Sequence, residues 1–323
     1  MNRPLVASSA LLYRTIVKPV AFSFDPEFVH DAITVLGNRI GKYSILSGMF
    51  SHAYGYEHPV LEQDILGMTW KNPLGLAAGF DKNGYLEGAM AAVGFGGTEI
   101  GSVTADSCSG NSKPRLWRSP EHESIIVNYG LANEGCKAIA QRISKRKHDI
   151  VRGVSIAKTN CKRTANKKEG IKDYMEGLHT MAPYADYLVI NISCPNAYGG
   201  ENFANPKNLD ALLHKTDMMD IDKPLFLKLP LVLDKDELAS LMNVILDHDV
   251  QGIICSNLFK ERTFKKEHPG SASGGPLRDR STRMVALCSE LSRGELVIVG
   301  CGGVFSGKDA YDKICAGAHL VQF

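Results

Sequence analysis

Eight short apolar runs, spaced from residue 73 to the end of the chain, limit the possible folds more than any other feature. They are PLGLAAGF (73–80), GTEIGSV (97–103), GVSIAK (153–158), DYLVINIS (186–193), PLFLKLP (224–230), QGIICSN (251–257), ELVIVGCGG (295–303) and AHLVQF (318–323). Most have the length and β-branched content of strands buried on both faces, and the segments between them are long enough to cross back as helices. EGCKAIAQRISKRK (134–147), DKDELASLMNVILDHD (234–249) and GKDAYDKICAG (307–317) are such crossings. Eight βα units in one domain favour an α/β fold of the (β/α)8 TIM-barrel type over an open doubly wound sheet. The stretch between the second and third runs exceeds one helix, so residues 104–130 are expected to make an excursion over one barrel end.

With 323 residues, 44% apolar and 22% charged, the chain can bury one large core with a small appendage. A formal net charge of +2 without a basic stripe argues against a nucleic-acid partner, and KRKH (145–148) and KRTANKK (162–168) read as solvated faces. The 8 cysteines show neither CxxC nor zinc spacing, so reduced thiols and no metal are expected. No apolar run approaches the roughly eighteen residues needed to span a bilayer, so the chain is not expected to cross a membrane. Ahead of the barrel, segments 10–20 and 26–40 place Leu12, Ile16 and Val20, then Phe28, Val29, Ile33, Leu36 and Ile40, at near-helical spacing. Such helices either pack on the barrel or lie on a membrane surface.

Barrels of this kind carry their chemistry at the C-terminal strand ends, which makes the polar residues there the candidates. Those are Asp81, Lys82 and Asn83; Ser102 and Thr104; Ser155 and Lys158; Asn191, Ser193, Cys194 and Asn196; Lys228; Ser256 and Asn257; and Gly300, Gly302 and Gly303. Glycines in GCGG (300–303) and SGGPL (273–277) either admit an anion to backbone N–H groups or serve ordinary turns. The small residues of GLAAGF (75–80) suit a flat ring or close helix packing. Lys228 lies in an apolar strand, where an ammonium is costly unless an anion meets it. Cys194 is either a buried small hydrophobe or, at a strand end among polar neighbours, a base of lowered pKa. HExxH, Walker A and GxSxG motifs are absent.

Taken together, PLGLAAGFDKNG (73–84), TEIGSVT (98–104), KPRLWR (113–118), VINISCPN (189–196), FLKL (226–229), IICSN (253–257), SGGPL (273–277) and VGCGG (299–303) resemble the dihydroorotate dehydrogenase family. The resemblance covers roughly residues 20 to 323. It implies a barrel binding FMN, oxidation of dihydroorotate to orotate, and reoxidation of the flavin in a second half-reaction. The N-terminal extension, taken as residues 1–60 ahead of a barrel over 61–323, is similar to that of the quinone-reducing class 2. That class implies a quinone acceptor and a peripheral membrane location, on the cytoplasmic face of a bacterial inner membrane or in a mitochondrial inner membrane.

Carried over position by position, the resemblance places Ala78, Gly79, Ser102, Ser155, Asn191, Lys228, Ser256, Gly274, Gly302 and Gly303 at the cofactor. Lys82, Asn128, Asn191, Asn196 and Asn257 fall at the substrate, and Cys194 at the base that removes the C5 proton. Four features depart from the family pattern. Cysteine is the class 1 base, whereas class 2 uses serine, and Val127 stands at a usual substrate-loop asparagine with Asn128 one place later. Ser155 replaces a flavin-contacting asparagine, and Leu258 replaces a substrate-binding serine or threonine. These changes keep open another dihydropyrimidine substrate, a fumarate acceptor or a non-catalytic flavin binder. The chain stops at Phe323, where the family continues into a phosphate-binding turn and a closing helix, so a shortened barrel is expected.

Overall fold

The computed structural model describes residues 3–146, 149–193, 203–259 and 268–323. The chain opens with helix α1 (Arg3–Leu12), which runs through a π-helical stretch (Tyr13–Val17) into α2 (Lys18–Phe22), followed by α3 (Pro26–Lys42) and α4 (Ser44–Tyr54). Helix α3 starts where Asp25 accepts from the N–H groups of Glu27 and Phe28, with Pro26 in the first turn. A hairpin of β1 (Gln63–Ile65) and β2 (Met68–Trp70) then leads into the barrel.

The eight apolar runs are the eight barrel strands. Five of them are β3 (Leu74–Leu76), β4 (Gly97–Val103), β7 (Val151–Ile156), β8 (Tyr187–Asn191) and β9 (Leu225–Lys228). The ring continues through β10 (Gly252–Cys255), β12 (Val297–Cys301) and β13 (Leu320–Gln322), which pairs back onto β3. Every ladder in the ring is parallel. Helices α5 (Glu87–Ala92), α6 (Cys136–Ile143), α7 (Lys167–Met181), α8 (Pro206–Asp217), α9 (Lys235–Leu246), α10 (Arg278–Ser292) and α11 (Gly307–Cys315) cross between strands. Asn166, Asn205, Asp234 and Ser306 cap four of these crossings, so their starts are written locally.

Two apolar layers result. Between strands and helices lies a large core that includes Ile100, Val154, Leu188, Leu227, Ile253 and Leu241. Inside the ring, Trp70, Tyr187, Phe226, Ile254 and Val299 fill the space. Glycines make room for these rings: a Cβ on Gly97 would sit 2.3 Å from Trp70, and one on Gly153 would sit 2.2 Å from Tyr187. The bottom of the barrel is thus a packed plug, and chemistry is left to the top.

The excursion over residues 104–130 is built around a hairpin, β5 (Leu116–Ser119) with β6 (Ser124–Val127), joined by β11 (Ser271–Gly274) into a three-stranded antiparallel sheet. Two expectations need correction. Residues 44–54 form α4, a helix beyond the two amphipathic segments read from the sequence. The bilayer-length expectation also fails: Pro4–Phe22 forms one 19-residue helix that is long and apolar enough to cross a membrane by length and composition. Arg14 and Lys18 interrupt the apolar run in sequence, but helical continuity joins the pieces on either side of them.

Of the apolar stripe of α3, Ile40 is buried, against Ala89 and Ala92 of α5, while most of the stripe faces outward. Glu27, Gly37 and Ile40 are buried, and α3 meets α5 where Gly41 and Gly88 let the two backbones touch. Phe28, Ile33 and Leu36 are exposed, as are Leu12, Ile16 and Val20 on the preceding helix.

Candidate active site

Asn191, at the C-terminal end of β8, is the hub of a polar cluster. Its Nδ2 donates to Ser102 Oγ at 2.8 Å, and the hydroxyls of Ser102 and Ser155 lie 3.0 Å apart. Its Oδ1 accepts from Ser193 N and Oγ, both at 3.1 Å, and from Asn257 Nδ2 at 3.2 Å. Asn257 Nδ2 also donates to Ser193 Oγ at 2.7 Å, and Ser193 Oγ reaches the carbonyl of Lys228 at 3.1 Å. One amide therefore ties together the ends of β4, β7, β8, β9 and β10. Residues scattered over 155 positions meet because each directly ends or follows a strand of one ring.

Lys228 sits beside this hub, buried at 4% exposure. Its Nζ lies 3.8 Å from Glu99 Oε1, too long for a hydrogen bond. Burial disfavours the ammonium, but Cys301 and Glu99 outweigh it and hold Lys228 above its ordinary pKa. Ser256 is buried next to Asn257, its N–H bound to the Cys301 carbonyl at 3.2 Å.

The predicted glycines divide into two kinds. Gly303 has φ +69, and a Cβ there would lie 2.3 Å from Arg278 N and Cα; at Gly274, φ +96, it would lie 2.4 Å from the Glu123 carbonyl. Packing alone therefore demands glycine at both. Gly302 follows the same turn, against Leu277. Gly79 differs, because with φ +117 a Cβ would meet nothing within 4 Å. It borders open space next to half-buried Ala78. Open space over a small-residue strand end, with a buried ammonium that lacks a hydrogen-bond acceptor among the described residues, fits a flat cofactor carrying its own acceptors.

Lys82 projects from the loop after β3, with its Nζ 4.0 Å from the Tyr129 ring centroid. Burial lowers its pKa to about 8, against the pull of Asp31 and Glu27. Asn128 is not joined to the Asn191 cluster: its N–H donates to the Arg115 carbonyl at 2.9 Å, and its Oδ1 accepts from Asn111 at 3.0 Å. Val127 is taken up by the β5–β6–β11 sheet, opposite Leu116 and Ser271. Leu258 donates its N–H to Asn257 Oδ1 at 2.8 Å and so helps orient that amide. Cys194 and Asn196 lie outside the described residues. Among the described residues the seven cysteines are free thiols, and no cluster of His, Cys, Asp or Glu is placed to hold a metal.

Sequence reasoning missed the link between extension and barrel. Arg115 Nη2 donates to Glu27 Oε1 at 2.8 Å, its Nε reaches the same carboxylate at 3.2 Å, and Lys113 approaches at 3.2 Å. His30 Nε2 meets the Phe80 carbonyl at 2.8 Å, one residue from Gly79. In the sequence, Glu27 is an ordinary first-turn acid and Arg115 an ordinary loop cation. Only the fold brings them together.

A closed eight-strand barrel that gathers amides, hydroxyls and a buried lysine at its C-terminal face belongs to the class of (β/α)8 cofactor enzymes. The sequence model described as "Dihydroorotate dehydrogenase" matches residues 60–323. The chain belongs to the dihydroorotate dehydrogenase family. A dihydroorotate dehydrogenase (quinone) of Marinomonas sp. is 36% identical over 95% of this chain and 90% of its own length. One of Gloeobacter violaceus is 34% identical over 96% and 88%. The ligand-free DHODH of Eimeria tenella superposes with a TM-score of 0.81 at 29% identity, covering 93% of this chain and 89% of that one.

Proposed function

We infer that this chain is an FMN-dependent dihydroorotate dehydrogenase of pyrimidine biosynthesis, which oxidises dihydroorotate to orotate and passes the electrons to a quinone. The observation that carries the reading is the Asn191 hub with Lys228 beside it, a ready-made support for two stacked planar groups. When bound, FMN supplies the two-electron acceptor. Ala78, Gly79, Ser102, Ser155, Asn191, Lys228 and Ser256 would hold its ring side, with Gly274, Gly302 and Gly303 toward its phosphate. Lys82, Asn128, Asn191, Asn196 and Asn257 would bind dihydroorotate. Cys194 Sγ would take the proton from C5.

The residues divide this work on physical grounds. Asn191 and Asn257 are oriented by mutual hydrogen bonds, so their remaining donors and acceptors are fixed before substrate arrives. Lys228, buried where water does not screen it, would oppose negative charge on the bound cofactor. Anaerobic mixing with dihydroorotate should bleach the flavin absorbance, and a soluble quinone should restore it. Recovery with fumarate alone would replace quinone as the acceptor. A flavin-loaded protein that does not bleach would favour another dihydropyrimidine, the reading that Val127 and Leu258 support.

Lys82 gives this reading a pH signature. Its ammonium must meet the substrate carboxylate, and burial sets its pKa to about 8. The charged form prevails below that value and is lost above it, so KM for dihydroorotate should rise roughly tenfold per pH unit above about 8. Lys82→Met should show a high KM without that slope. A wild-type KM that stays flat from about pH 7 to 9.5 would remove Lys82 from substrate binding.

Residues 1–60 would form a quinone-facing unit on a membrane surface, in a bacterial inner membrane on its cytoplasmic side or in a mitochondrial inner membrane. The support is the apolar surface displayed by Leu12, Ile16, Val20, Phe28, Ile33 and Leu36. Deleting residues 3–22 should weaken cosedimentation with phospholipid vesicles while dihydroorotate still bleaches the flavin. Undiminished cosedimentation would move the membrane contact elsewhere.

A further inference from the structure

The dehydrogenase reading gives no role to a carboxylate buried beside Lys228. Glu99, in β4, is 0% exposed. Its Oε2 accepts from Gln322 Nε2 at 2.8 Å, and the same nitrogen reaches Tyr187 Oη at 3.2 Å. Its Oε1 has no hydrogen-bond partner among the described residues and faces Lys228 Nζ at 3.8 Å. Strands β4, β8, β9 and β13 contribute these groups, so the carboxylate stands inside the ring between the aromatic plug and the site. An ion there is expensive, and a neutral side chain of the same size would pack for less. The partner it meets is the lysine that the site needs.

We propose that Glu99 is a positioning residue for the dehydrogenase reaction: it keeps Lys228 an ammonium beside the flavin and so sets the potential at which the cofactor takes electrons. The role rests on the FMN reading above. Lys228 is faced by Glu99 from β4 and by Cys301 from β12; Glu99 is faced in turn by Tyr187 and Cys301, with Asp186 beyond the tyrosine and Lys313 of α11 beyond the cysteine. Burial pushes the Cys301 thiol up and the Tyr187 phenol well up, so near neutrality both are neutral, and the pull of Cys301 on Lys228 belongs to alkaline pH, where the thiol ionises. Glu99 Oε1, 3.8 Å from Nζ and without a hydrogen-bond partner among the described residues, is the group placed to balance Lys228.

Glu99→Gln keeps the shape and removes that charge. The ammonium is then alone in a desolvated core, and its titration should move to lower pH than in wild type, which a scan over about pH 6 to 9 would follow. Below that transition an uncompensated positive charge favours electron uptake; above it the charge is gone.

The experiment is a spectroelectrochemical titration of FMN-loaded wild type, Glu99→Gln, Lys228→Met and the double variant across that pH range. The single Glu99 variant should lie above wild type at the acid end and return toward it through a break that the double variant lacks. Tracking wild type at every pH, or keeping the break in the double variant, would overturn the role. Should Glu99→Gln not fold, wild type against Lys228→Met decides: a break present only in wild type overturns it, and parallel curves support it. A wild-type chain that takes up no FMN would instead sink the dehydrogenase reading itself.

Discussion

Cys194→Ala is expected to keep FMN bound and to slow flavin reduction by dihydroorotate by about 10²- to 10⁴-fold, the usual contribution of a positioned base. Another residue could in principle take the proton, and the nearest in sequence is Ser193. Its hydroxyl, however, is already committed: it is buried, meets the Lys228 carbonyl and Asn191 Oδ1, and accepts from Asn257. A serine that spends its one proton on backbone and amide acceptors supports structure and is not poised to exchange protons with substrate. Cys194→Ser tests the base from the other side. A hydroxyl is far less acidic than a thiol of pKa about 8.5, so the variant should keep partial activity with its pH optimum moved upward. Stopped-flow absorbance reads both variants directly. Reduction at the wild-type rate in the alanine variant would take Cys194 out of the mechanism.

Much of the barrel was legible because its strands are buried on both faces. Runs such as YLVIN and GIIC are apolar up to the strand end, where a polar candidate stands, Asn191 as the last residue of one and Ser256 just after the other. The same logic located Ser102, Ser155, Asn257 and Lys228, because a strand end is a local feature. What was not legible depends on pairing across long separations. Glu99 reads as a polar interruption in TEIGSVT until Lys228 and Gln322 arrive from β9 and β13. Helix α3 shows the limit of periodicity. Its apolar stripe is real, but the face that docks is marked by Gly37, Gly41 and an acid, because close backbone contact and an ion pair hold it. The glycines of GCGG were legible as glycines only, since the close approach of Arg278 explains Gly303 without any ligand.

Glu27→Gln should uncouple the two half-reactions. The carboxylate is about 6% exposed and receives Arg115 through both Nη2 and Nε, with Lys113 nearby. Arg115 is fixed independently by the carbonyls of Ser109 at 2.7 Å and Asn111 at 3.0 Å. The substitution therefore leaves the guanidinium in place and loosens α3. A charge-assisted hydrogen bond is worth about 1.5–3 kcal/mol, which corresponds to roughly 10- to 150-fold in the docked population. Reoxidation by quinone should fall by that factor, whereas bleaching by saturating dihydroorotate near pH 7, which in the proposed mechanism draws on Asn191, Lys82 and Cys194, should change by less than about twofold; the lost pull of Glu27 on Lys82 should show only as a KM rise that begins at lower pH. The wild-type linkage carries its own sign. Burial alone would raise Glu27, but Arg115 and Lys113 outweigh it and hold its pKa below the ordinary value of 4.5. The docking contribution is thus present above the unfolded pKa and lost as pH falls through the lower folded one. In wild type, protection of the α3 amides from hydrogen exchange should weaken only in that acid window, and in Glu27→Gln it should be weak at every pH. Equal losses in both half-reactions would mean that Glu27 supports the substrate site through Arg115 and Tyr129, and that α3 does not deliver the acceptor.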